Sequence, residues 1–232
     1  MPRIAAGRIL TKLAAAAALL PVAAGADALQ DQVLAGMRAT RTQDLSFTLT
    51  IRAEQTGSAP HQSVLHYDPR GTNGGWAIQS VNGAPPTAKQ RQQGTKQHPP
   101  VPDYGNLAKW FGRPATRIAT TPGSATYHFT GLPAGTVKLG SHDASADTVA
   151  DVVVDTTRAQ PYVSRVRFVS TKPFRMMLVA KVERFVVTAG YAPLEDGRVF
   201  STGNDSEFAG SLLGKAGAIT TRMRVSDVRP AR

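Results

Sequence analysis

Three late runs limit this chain more than any other feature: RVRFVS (165–170), MMLVAKVERFVV (176–187) and ITTRMRVSDV (219–228). In the first, Val166 and Phe168 alternate with Arg165 and Arg167. In the second, Leu178, Ala180 and Val182 alternate with Lys181 and Glu183. In the third, Ile219, Met223 and Val225 alternate with Thr220, Arg222 and Arg224. Successive side chains of a strand point to opposite faces, so a period of two predicts a sheet with one apolar and one charged face. The apolar face must be covered. Residues 188–218, between the second and third runs, read as a long connector.

The same period appears earlier. Leu45, Phe47, Leu49, Ile51 and Ala53 alternate with Ser46, Thr48, Thr50 and Arg52, the clearest strand in the chain. Strands at 62–68 and 76–81 follow, the second ending at the turn signal Asn82-Gly83. Further β runs stand at 116–121, 124–130, 149–155 and 163–170. Between them, 28–39 places Leu29, Val33 and Met37 at helical spacing behind the N-cap candidate Asp27, and Tyr104, Leu107, Trp110 and Phe111 share one face of a second short helix. Residues 84–103 hold four Gln and five Pro with almost no apolar side chain, and read as a surface excursion. The class is α+β: a large curved antiparallel sheet of roughly eight to eleven strands, capped by a few short helices.

Residues 1–26 have the layout of a secretory signal peptide: Arg3, Arg8 and Lys12, then an apolar run from Leu13 to Ala24, then small residues before Asp27. The expectation is cleavage after Ala26 and a single domain from 27 to 232. All 16 acidic residues and 24 of the 27 basic ones lie after Ala26, leaving a mature charge of +8. A basic exported protein meets anionic head groups and acidic glycans before it meets nucleic acid, and no nucleic-acid partner is expected. The chain has no cysteine, so it has no disulfide framework and no residue to carry a lipid anchor. With no second long apolar run, the expectation is a periplasmic protein without a transmembrane segment after signal removal.

Candidate chemistry is sparse. Asp143, Asp147, Asp151 and Asp155 recur every four residues, but VADVVVD reads as a strand and disperses them, and the cation-loop glycine is missing. The five histidines have no zinc-type spacing, there is no Gly-x-Ser-x-Gly, and Gly210 to Lys215 departs from a phosphate loop in its spacing. The reading is of a non-enzymatic protein with no catalytic residue, no metal and no cofactor. The apolar side chains Phe47, Leu49, Ile51, Trp76, Trp110, Phe111, Val166, Phe168, Leu178, Val182, Met223 and Val225 are either plain core or the lining of a ligand cavity. A curved sheet that fails to close its core can accept an acyl chain, and burying a dozen methylenes is worth about 10 kcal/mol before ordering costs.

The order of signal peptide, amphipathic helix, early hairpin with a Trp, helical insertion and meander resembles the LolA/LolB-like superfamily of periplasmic lipoprotein carriers and outer-membrane lipoprotein-sorting proteins. The late run VERFVVTAGYAPLEDGRVFSTGNDSEFAG followed by ITTRMRVSDVRP carries the likeness furthest, since in the sorting proteins that it resembles, a strand, a DGR-type turn, another strand and a Thr-Arg-rich strand follow in that order. The resemblance implies an unclosed barrel lidded by helices, with an apolar cavity lined by the residues named above and holding acyl chains. It also implies a lid-holding arginine six residues before a tryptophan, which here is Arg70 before Trp76. The function it implies is a periplasmic chaperone that shields an acylated ligand, lipoprotein or lipid, in outer-membrane lipoprotein sorting, with transient envelope protein partners. An alternative is an envelope interaction or sensor module that holds a protein or glycan through the basic surface and the 84–103 excursion.

Overall fold

The computed structural model describes residues 27–94, 98–176 and 180–231. The proposed signal peptide and Leu178 lie outside them. The chain opens with α1 (Ala28–Ala39), followed by β1 (Leu45–Gln55), β2 (His61–Tyr67), β3 (Trp76–Val81), α2 (Ala88–Gly94), a 3-10 turn at Tyr104–Leu107 and α3 (Ala108–Phe111). Next come β4 (Thr116–Thr121), β5 (Ser124–Phe129), a two-residue hairpin of β6 (Lys138–Leu139) and β7 (His142–Asp143), β8 (Thr148–Asp155) and β9 (Tyr162–Ser170). The last strands are β10 (Phe174–Met176), β11 (Ala180–Pro193), β12 (Val199–Leu212) and β13 (Lys215–Pro230).

Eleven strands form one antiparallel sheet in the order β3-β2-β1-β13-β12-β11-β9-β8-β5-β4, with β10 added beside β11. The two ends of the path, β3 and β4, do not pair, so the sheet is curved but unclosed. The first strand pairs with the last: Leu49 stands opposite Val225, and Ile51 opposite Met223. These pairs are 176 and 172 residues apart in sequence, beyond any local pattern, yet the alternation in both strands fixes which face each residue takes.

The structure corrects the sequence reading in four places. Residues 188–218 are not a connector: β11 continues to Pro193, and β12 lies between β11 and β13 as a central strand. Its Gly, Asn, Asp and Ser content is poor in strand formers, and pairing on both sides overrides that preference. Gly203 shows why a small residue is needed there. Its φ is +130°, and a Cβ would stand 2.0 Å from the Met223 carbonyl oxygen. Second, the run at 176–187 is not one strand: Met176 ends β10 and Ala180 opens β11, and the two strands pair with each other. A register shift between Val182 and Arg184 then moves Phe185, rather than Arg184, onto the buried face. Third, the helix predicted at 104–111 begins as a 3-10 turn, although all four of its apolar residues are buried as expected. Fourth, the polar excursion contributes to packing, since the half-buried Val101 rests on the β1–β3 cluster and His98 stacks on Trp76 with ring centroids 5.5 Å apart.

Candidate functional site

The candidate site is the concave, apolar face of the sheet. Its residues are brought to one side by register: Val152, Val166, Ala189, Asn204, Met223 and Ile51 form a continuous rung across β8, β9, β11, β12, β13 and β1. Two hydrophobic clusters sit on this face. The larger lies under α1 and α3 and joins Val33, Met37, Trp110 and Phe111 of the helices to Tyr127, Phe129, Val152, Val166 and Phe185 of the sheet. The smaller holds Leu45, Phe47, Leu49, Leu65, Trp76 and Phe200. Between them runs a seam of half-buried side chains. Asn204 and Thr221 are its polar members, and Val187, Phe208, Met223 and Ile51 its apolar ones.

Most of the proposed lining therefore shares one face, divided between the two clusters. Phe47, Leu49 and Trp76 are buried in the smaller cluster, while Ile51, Met223 and Val225 are half-buried against it. Trp110, Phe111, Val166 and Val182 are buried in the larger, with Phe168 half-buried and 5.7 Å from the Trp110 ring. Leu178 lies outside the described residues. Phe47 touches Tyr67, Trp76 and Phe200, with ring centroids 5.1, 5.6 and 5.4 Å away. Trp76 Nε1 is buried and has no hydrogen-bond partner among the described residues. A buried donor left unpaired costs about 1–3 kcal/mol.

Arg70 sits on the turn between β2 and β3. Its backbone N–H bonds Asp68 Oδ1 at 2.9 Å, and its exposed guanidinium makes no hydrogen bond or ion pair to a described residue. The ties between helices and sheet lie elsewhere. Asp27 caps α1 by accepting from the Leu29 N–H at 3.0 Å, and it pairs with Arg117 of β4. Arg117 also reaches the Tyr127 hydroxyl at 3.0 Å and lies over that ring. Partial burial raises the Asp27 pKa, but hydrogen bonds with Tyr127, Arg117 and the Leu29 N–H outweigh it, and the carboxyl titrates below its ordinary value. Burial and the neighbouring Asp27 push Tyr127 up to about 12.

A second tie is Gln30, which donates from Nε2 to the carbonyls of Phe111 and Arg113, at 2.5 and 2.8 Å. The first carbonyl ends α3 and the second lies two residues past it, where carbonyls run out of intrahelical partners. Third, the Val163 N–H, beside a register shift in the β8–β9 ladder, donates to the Tyr104 hydroxyl at 2.8 Å. Burial pushes the Tyr104 phenol well above its usual range. Sequence reasoning reached Asp27 only as a cap and missed Gln30, Arg117 and the Tyr104 bond, because the partners stand 59 to 90 residues apart.

Among the described residues, no group of three or more His, Asp or Glu could hold a metal ion. No helix there is long and apolar enough to cross a membrane. The molecule is thus an open antiparallel sheet with an apolar face partly covered by short helices, and its polar ties hold those helices. No family model and no curated protein matches the chain. Among solved structures, it is similar to a LolA superfamily protein from Nitrosomonas europaea, with 11% identity over 88% of this chain and 94% of that one, at a TM-score of 0.34.

Proposed function

We propose that this chain is an exported, non-enzymatic binding protein that shields an acyl chain of a lipoprotein or lipid on the concave face of its sheet, serving lipoprotein sorting at the outer membrane. The carrying observation is the half-covered apolar face itself, with Met223, Ile51, Phe208 and Val187 half-buried between two packed clusters. A hydrocarbon chain laid along that seam gains about 0.8 kcal/mol for each methylene it removes from water. The helices rest on this face through apolar contact and a few polar ties, so a ligand longer than the seam enters by displacing them. Trp76 Nε1 supports the reading, because a buried donor with no partner among the described residues suits the ester or amide carbonyl of an acylated ligand.

The test is titration of the processed protein with a fluorescent fatty acid, together with lipid extraction from protein purified out of the exporting cell. Saturable uptake is expected, and Phe168→Asp should abolish it. Met223→Ser, at a half-buried position, provides a milder variant that keeps the fold and should weaken uptake. A folded wild-type protein that carries no extractable lipid and ignores the probe would sink the proposal.

A further inference from the structure

We propose that the opposite, convex face carries a binding site for an anionic head group on an apolar body, with Arg165 and Arg167 of β9 holding the phosphate or carboxylate. The two arginines lie two residues apart on one strand, so they point the same way with Cα atoms about 6.7 Å apart. They line a depression of about 360 Å³ together with Ile118, Val153, Thr126 and Thr188. The cross-strand neighbours explain why neither guanidinium group has a partner among the described residues. Arg165 stands between Val153 of β8 and Gly190 of β11, neither of which offers a carboxylate.

Arg167 stands opposite Asp151, the natural ion-pair partner, yet the Asp151 carboxylate is taken by His128 Nδ1 at 2.7 Å. Neither arginine makes a hydrogen bond or ion pair to a described residue. Elsewhere on this face the pattern differs: Arg52 pairs with Glu54 at 2.9 Å, and Arg224 with Asp205 at 2.7 Å. Planar guanidinium forks match the oxygens of phosphate and carboxylate. The apolar half comes from Val153 and from Ile118, which is 56% exposed where β-strand residues of this size are usually covered. Asp151 also lines the depression and opposes an anion there, with its Oδ1 engaged by His128 and the two arginines supplying the larger opposite charge.

This inference is independent of the carrier reading, since the site lies on the other side of the sheet. The experiment is calorimetric titration of the folded protein with dihexanoyl phosphatidate below its micelle concentration, and separately with inorganic phosphate. Phosphatidate should saturate one site and bind more tightly than phosphate. The double variant Arg165→Gln/Arg167→Gln should lose at least about tenfold in affinity, as removal of two charge-assisted contacts implies. Ile118→Ser should weaken phosphatidate and leave phosphate unchanged. Arg222→Gln removes a charge that has no ion-pair partner among the described residues from the same face outside the depression, and should leave binding intact. Absence of saturable binding, equal affinity for the two ligands, or an equal loss in Arg222→Gln would each overturn the proposal. Melting curves of every variant establish that the fold is retained.

Discussion

At the scale of the residue, the ties between helices and sheet are the most exposed to test. Asp27 titrates below its ordinary value, so its contribution to stability is present above about pH 4, the range of an unfolded aspartate, and is lost as pH falls through its lower folded value. Asp27→Asn should therefore lower the melting temperature at neutral pH and narrow its gap to wild type at low pH, a difference that paired melting curves across pH will measure. A gap independent of pH would place the effect in packing rather than charge. Tyr104→Phe removes the hydroxyl that accepts the Val163 N–H while keeping the ring's contact with Tyr191. Its expected cost is about 1–3 kcal/mol in chemical denaturation, as for a buried donor left unpaired. These positions were not legible as a set, because a sequence window around Asp27 contains neither Arg117 nor Tyr127.

At the scale of the element, β12 is the most informative strand. Its concave side offers Asn204 and Ser206 opposite Ala189 and Val187 of β11 and Met223 and Thr221 of β13, and this small, partly polar patch lies between the two hydrophobic clusters. Gly203 sits in that strand where β12 carries an extra residue against β11, and the Met223 backbone approaches closely. Gly203→Ala should destabilise the protein by more than about 1 kcal/mol, since the positive φ and the backbone contact both penalise a side chain. Equilibrium unfolding will measure it, and a neutral substitution would mean that β12 shifts without cost. The helices were easier to read. Asp27 as cap, Val33 and Met37 at helical spacing, and the Tyr104, Leu107, Trp110, Phe111 face are local signals, and each is found where the spacing put it. β12 was hidden from the alternation pattern for the opposite reason, its propensity being low and its two neighbours making it a strand, although the resemblance implied a strand after the Asp196-Gly197-Arg198 turn.

At the scale of the whole molecule, an unclosed sheet has two free edges and a face that its own helices cover only in part. If the seam takes up acyl chains, amide hydrogen exchange in α1 and α3 should rise when the ligand displaces them, while the β11–β12 and β12–β13 ladders stay protected. Unchanged exchange in the helices on saturation would place the ligand on the seam alone, without lid movement. The sequence by itself determined which residues share a face, because a period of two survives any choice of partner strand. It also determined the Asp27 cap of α1 and the apolar stripes of the helices, which depend on neighbours within a turn. Only the tertiary structure decided that β1 pairs with β13, that residues 199–212 form a central strand, and that Asp27 meets Arg117. Those are contacts between segments far apart in the chain, where the energy of pairing and packing outweighs local preference and no short window records the partner.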